Sequence, residues 1–145
     1  MYNRYLITGS TGFLGRAIIE KLVRRNVRVD ALVLCNDPYA ALLPEEVHTV
    51  IGDVCEDDSL ERFFADADNN TCVIHCAGII SVASRSGSKL YQVNIGGTCK
   101  VVRQCLEHHI GKMIYVSSVH AIPEKPKNCV ITEDCEFSPG LVDGD

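Results

Sequence analysis

Gly9, Gly12 and Gly15 recur at every third position between the apolar run Tyr5-Leu6-Ile7 and a helix-like stretch over 13–25. A strand that turns at once into a helix needs backbone torsions that side chains resist, which suits Gly9 to the turn. Gly12 leaves room for an anion at the first helical turn, where unpaired N–H groups and the positive end of the helix dipole favour negative charge. Gly15 lets helix and sheet pack closely. Such a loop offers pyrophosphate binding, although the spacing departs from Gly-x-Gly-x-x-Gly. A turn plus a packing glycine is the plainer alternative. Asp53-Val54, Ala77-Gly78 and Ser117-Ser118 each close another apolar run, so polar or small residues gather at several strand ends.

These positions need a scaffold, and apolar runs alternating with helical patterns predict βαβ units and a parallel sheet. The expected strands are Arg4–Thr8, Val27–Leu34, Val47–Ile51, Thr71–Cys76 and Lys112–Ser117. Leu14, Ala17, Ile18, Lys21 and Leu22 outline the sheet-facing side of the first helix, with the lysine as its one polar member. The stretch from Asn36 to Glu46 reads as a loop with one helical turn. A second helix begins near Asp57, Asp58 or Ser59, any of which can cap it, and buries Leu60, Phe63 and Phe64. A long helix from Leu90 to His109 carries Leu90, Asn94, Gly97, Val101 and Cys105 on one stripe. Asn94 there is a costly amide unless its hydrogen bonds are met, and Gly96 and Gly97 call for a compensating close contact. The expected class is α/β, a doubly wound parallel sheet (Rossmann fold) incomplete on its C-terminal side, with ligand beyond the carboxyl ends of the strands. The whole of 1–145 reads as one domain, with an irregular tail after Ile122.

The 145 residues are 46% hydrophobic and 23% charged, which is ordinary globular composition. A net charge of -5 without a basic stripe disfavours a nucleic-acid partner. No apolar run reaches membrane-spanning length and no signal-peptide pattern opens the chain, so the expected compartment is cytoplasmic. Eight cysteines include no Cys-x-x-Cys pair. Cys35, Cys72, Cys76, Cys99 and Cys105 fall in apolar patterns, so reduced structural thiols are expected, and no residue is assigned to a metal.

Five segments carry a resemblance: Thr8-Gly-Ser-Thr-Gly-Phe-Leu-Gly15, Gly52-Asp-Val54, Val73-Ile-His-Cys-Ala-Gly78, Asn94-Ile-Gly-Gly-Thr98 and Tyr115-Val-Ser-Ser118. In this order they resemble the extended short-chain dehydrogenases/reductases, the NAD-dependent epimerase/dehydratase family. Among its members they are most similar to dihydroflavonol-reductase-like and hydroxysteroid-dehydrogenase-like reductases. The resemblance implies that Gly9, Ser10, Thr11, Gly12, Phe13, Leu14 and Gly15 hold the pyrophosphate of NAD or NADP. It further implies that Asp53 accepts a hydrogen bond from the adenine amino group while Val54 packs beside the ring; a turn-forming aspartate is the alternative. Cys76, Ala77 and Gly78 would line the path to the nicotinamide ribose, Asn94 would support the site from its helix, and Ser117 would lie near the cofactor. Ser118 corresponds to the family's catalytic serine, whose hydroxyl bonds the reacting oxygen of a small-molecule carbonyl or alcohol. His120 reads as a bystander.

The family's chemistry also needs Tyr-x-x-x-Lys, in which lysine lowers the phenol's pKa for proton exchange. Tyr2, Tyr5, Tyr39, Tyr91 and Tyr115 are followed at that spacing by Leu6, Gly9, Leu43, Ile95 and Val119. The chain therefore reads as the amino-terminal part of a longer enzyme, inactive by itself. A homodimer of the complete protein through the long helix is one form the resemblance allows. NAD selection wants a carboxylate at the end of the second strand, and NADP an arginine. Val33-Leu34 stand there; Asp30 is too early, Asp37 lies further along the loop, and Arg16 is a candidate for a 2′-phosphate. The expected function is the NAD(P)-binding part of an oxidoreductase or epimerase/dehydratase. A non-catalytic dinucleotide sensor or scaffold that retains the site is the alternative.

Overall fold

The computed structural model describes residues 2–80, 87–118, 122 and 129–135; His120 lies outside them. The chain divides into two compact units, Met1–Tyr115 and Val116–Asp145. In the first, β1 (Arg4–Thr8), α1 (Phe13–Val23), β2 (Arg28–Val33), β3 (His48–Ile51), α2 (Asp57–Phe64) and β4 (Thr71–His75) follow in sequence. A short α3 (Ser88–Tyr91) then runs through a π-helical turn, Gln92–Gly97, into α4 (Thr98–Glu107), and β5 (Lys112–Tyr115) closes the series. In the second unit Thr132–Cys135 forms a turn, with the Cys135 N–H bonded to the Thr132 carbonyl at 3.1 Å.

The five strands form one parallel sheet in the order β3-β2-β1-β4-β5. That order is Rossmann-like and matches the doubly wound class expected from the sequence. Helices cover both faces, so the inner strands must be apolar on both sides. β4 is buried along its whole length, and so is β2 after Arg28. One face packs Leu6, Leu32 and Val73 against Phe63, Phe64, Val101 and Cys105 of α2 and α4. The other packs Ile7, Val29, Ala31, Val33, Cys72 and Ile74 against Ile19 and Leu22 of α1.

Local expectations fail where tertiary contacts compete. The buried stripe of α1 runs through Gly15, Ile19 and Leu22, whereas Leu14 is 44% exposed and Lys21 lies in solvent. Close approach at Gly15 rotates the helix by about one position from the expected face. The residue capping α2 is Glu56 rather than Asp57, Asp58 or Ser59. Asp57 instead pairs with Lys100 and Arg103 on α4, and these hydrogen bonds hold its carboxyl below the usual range. Ser59 donates to the Glu56 carboxylate at 2.8 Å.

Cys72 and Cys105 are buried thiols as expected, but Cys35 and Cys99 are exposed, each placed just beyond or opposite a packed stripe. No disulfide joins the cysteines among the described residues. Gly97 has its compensating contact, since a Cβ there would meet Val54 Cγ2 at 2.7 Å; at Gly96 the nearest atom is 3.8 Å away. Among the described residues no helix is long and apolar enough to cross a membrane, and no cluster of three His, Cys, Asp or Glu could hold a metal.

Candidate functional site

At the carboxyl ends of the strands the first unit opens a cleft of about 210 Å³. Gly9 and Thr11 from the β1–α1 loop, Asp53 and Val54 after β3, and Ala77 and Gly78 after β4 line it. The parallel register explains this gathering: Thr8 pairs with His75, so the chain leaves β1 and β4 at the same level. Gly9 has φ +64, and a Cβ on it would stand 2.5 Å from the Cys76 carbonyl carbon. Only glycine fits that crossing. A Cβ on Gly15 would collide with the Gly9 carbonyl, which is how α1 reaches its seat. Gly12 forms the N-cap of α1 in an extended conformation, with no side-chain cap among the described residues. Its first-turn N–H groups are therefore available to an anion.

The other expected site residues play mixed parts. The Ser10 hydroxyl is buried and donates to the Leu32 carbonyl at 2.6 Å. Cys76 packs against the α1-side core, and burial pushes its thiol pKa up. Phe13 and Leu14 are exposed. Asp53 forms a turn, accepting the Cys55 N–H at 2.9 Å, while it also lines the cleft. Val54 is buried over Gly97 and reaches the cleft edge as well.

Asn94 does not sit on a regular helix. The π-helical turn, a form that concentrates at functional sites, carries it. Its amide meets the backbone of Ile79 twice: Oδ1 accepts the Ile79 N–H and Nδ2 donates to the Ile79 carbonyl, both at 2.9 Å. The hydrogen bonds that a mid-helix asparagine requires are thus met by the loop after β4.

Ser117 and Ser118 fall in the second unit, directly after β5 in the chain, and both are exposed.

Several cleft residues lie outside the set expected to hold the cofactor. Gly52 is one: a Cβ there would meet Ser59 Cβ at 2.7 Å, so glycine lets α2 approach the end of β3. Leu34, Ile79 and Val93 supply apolar walls, and Lys89 is the cation among the lining residues. The glycine beside Asp53 is a usable signal; the position of Lys89 is not, because helix α3 begins earlier than the expected Leu90. Asp37 also lies closer than its sequence position suggests. A turn in which its N–H bonds the Leu34 carbonyl at 3.2 Å folds the loop back, and the Thr11 hydroxyl donates to its carboxylate at 2.7 Å. Arg16 does not line the cleft, and its Nε is buried without a partner among the described residues. Asp30 lies inside its strand, three residues before its carboxyl end, and is held there by Arg4, Arg28 and His48. Burial pushes its carboxyl up, but the three hydrogen bonds outweigh that and leave it below the usual value.

Comparison with known proteins agrees with this geometry. Residues 6–138 match the 3-beta hydroxysteroid dehydrogenase/isomerase family, and the chain belongs to it. It therefore lies within the extended short-chain dehydrogenases/reductases. Human 3 beta-hydroxysteroid dehydrogenase type 7 is 29% identical over 130 residues, which are 85% of this chain and 34% of that protein. Short-chain dehydrogenase/reductase family 42E member 1 from Macaca fascicularis is 32% identical over 81% of this chain and 30% of its own length. Among solved structures, the UDP-glucose 4-epimerase of Thermus thermophilus in complex with NAD superposes with a TM-score of 0.81 at 25% identity, covering 95% of this chain and 45% of that one. The chain thus spans about a third of the length of the curated relatives it matches. The dihydroflavonol-reductase likeness finds no support in these matches.

Proposed function

We propose that this chain is the cofactor-binding part of an NAD(P)-dependent oxidoreductase or epimerase/dehydratase that acts on a carbonyl or secondary alcohol. The observation that carries the reading is the cradle at Gly9 and Gly15: the positions a Cβ would block lie beneath the open N-terminus of α1. That is a fit for a pyrophosphate. Gly9, Thr11 and the first-turn N–H groups would hold it, Asp53 and Val54 would receive the adenine, and Ala77 and Gly78 would flank the ribose on the nicotinamide side. When bound, the dinucleotide supplies a hydride acceptor or donor. Asp37, tethered to Thr11, supports NAD over NADP, because a carboxylate there can accept ribose hydroxyls and repels a 2′-phosphate.

Ser118 would donate a hydrogen bond to the substrate oxygen. In alcohol oxidation the hydroxyl proton would pass from the oxygen held by Ser118 to a base. That base is proposed to be a Tyr-x-x-x-Lys pair in the remainder of a longer protein. The family description supports a hydroxysteroid-like secondary alcohol as substrate, with a cytoplasmic enzyme and a homodimer as the proposed setting. Titrating the complete protein with NADH and NADPH tests the reading, together with product analysis on hydroxysteroids and a wider ketone panel. Saturable NADH binding with turnover is expected. Folded protein that binds neither dinucleotide would overturn the proposal, and tight binding with no turnover would favour a sensor.

A further inference from the structure

His75 lies at the end of β4 with its side chain fully buried, in a run that reads from sequence as one more set of apolar strand sites. The parallel register sets Thr8, His75 and Tyr115 side by side on the face that α4 covers. The Tyr115 ring stacks on the imidazole at 5.7 Å. The hydrogen bonds around the ring admit a single direction. The Thr98 hydroxyl lies 2.7 Å from the Asn94 carbonyl, which can only accept, so Thr98 donates there. Its oxygen is then left to accept from His75 Nε2 at 3.0 Å, which places the ring proton on Nε2. Burial holds the ring neutral, so Nδ1 must accept, and the Thr8 hydroxyl 2.6 Å away donates to it. Thr8 Oγ1 in turn accepts the Ala77 N–H at 3.3 Å.

This path begins on Ala77 and reaches Asn94, whose amide clamps Ile79 through both backbone groups. The path ends on the Asn94 main-chain carbonyl, and the side chain of the same residue returns to the segment from which the path starts. Ala77, Gly78 and Ile79 all line the cleft. We infer that His75, as its neutral Nε2–H tautomer, is a positioning residue that sets the backbone of Ala77–Ile79 for a bound dinucleotide through Thr8 on one side and Thr98 and Asn94 on the other. The inference rests on the reading of the cleft as a dinucleotide site. A ring with the other tautomer would confront Thr8 and Thr98 with reversed roles, and Thr98 could no longer donate to Asn94 without leaving a ring nitrogen unmatched.

The test uses the complete protein and reads two quantities: the ring ¹⁵N shifts of His75 without ligand, and NADH affinity. Thr98→Val removes the hydroxyl away from the cleft, and Thr98→Ser restores it. Wild type is expected to show the Nε2–H tautomer, T98V to bind NADH about tenfold more weakly while still folding, and T98S to recover most of that loss. His75→Phe is a second variant, expected to weaken NADH similarly; thermal unfolding run alongside separates lost fold from lost positioning. Unchanged NADH affinity in folded T98V overturns the positioning role and leaves the cofactor site standing, as does an Nδ1–H ring in wild type. Wild-type protein that is folded and binds neither dinucleotide overturns both.

Discussion

The Thr11 hydroxyl donates to the Asp37 carboxylate at 2.7 Å, which ties the glycine loop to the segment after β2. The second carboxylate oxygen accepts the Tyr39 N–H at 2.9 Å, so the group is held from both sides. A tethered carboxylate beside a dinucleotide cleft favours ribose hydroxyls and opposes a 2′-phosphate. Asp37→Ala is expected to weaken NADH about tenfold and to narrow or reverse the preference against NADPH. Parallel fluorescence titrations with the two reduced dinucleotides check this. Equal affinities for both in wild type would remove Asp37 from cofactor choice.

Gly9 gives a sharper expectation because its constraint is backbone. Its φ of +64 disfavours any side chain, and a Cβ would also press on the Cys76 carbonyl carbon and Ala77 nitrogen at 2.5 and 2.6 Å. Gly9→Ala must separate β1 from the loop after β4 or strain both, at a cost on the order of 1–3 kcal/mol. Denaturant unfolding should show that loss, and NADH binding should fall with it. Gly87, around which a Cβ meets nothing within 4 Å, is the control. Gly87→Ala should leave both quantities close to wild type.

How far the sequence can be read follows from which interactions are local. β1 and the buried β4 are legible almost to the residue, since strands covered on both faces leave continuous apolar runs. The loop glycines and Asp53-Val54 are legible for a similar reason: turn chemistry is a property of adjacent residues. Asp37 looks too distant in sequence because a fold-back turn cannot be read from spacing alone. The π-helical turn is hidden too, since Leu90, Gly97, Val101 and Cys105 fit an ordinary helix and only the pull of Ile79 on Asn94 reveals the change. His75 escapes for want of register, because the neighbours that define it come from β1, β5 and α4.

The buried imidazole also predicts a pH dependence of stability. Burial lowers the His75 pKa from 6.5 to about 4, so the folded protein keeps the ring neutral where the unfolded chain would protonate it. The unfolded state binds the extra proton between these values, so stability is fully present above pH 6.5 and falls as the pH drops toward 4. Between pH 7 and 5 the contribution is about 2 kcal/mol. Urea unfolding at the two pH values should show a smaller difference in His75→Gln than in wild type. Identical differences in the two proteins would mean that the ring is already charged or unburied.

Tyr91, Ile95, Val102 and Leu106 leave apolar side chains exposed along α3, the π-helical turn and α4, with Leu106 at 71%. Separations of four and seven residues put them on one side of the helix, opposite the buried Gly97, Val101 and Cys105. Contiguous apolar stripes of this kind mark surfaces that are covered in the working assembly. For the proposed homodimer, burying Val102 and Leu106 would contribute about 1.5–3 kcal/mol per side chain, and a carboxylate in their place would have to be desolvated. Val102→Glu combined with Leu106→Glu should therefore convert a dimeric complete protein to monomer in multi-angle light scattering. NADH affinity should persist, because neither residue lines the cleft. A monomeric wild type, or a double variant that stays dimeric, would exclude this stripe as a dimer interface.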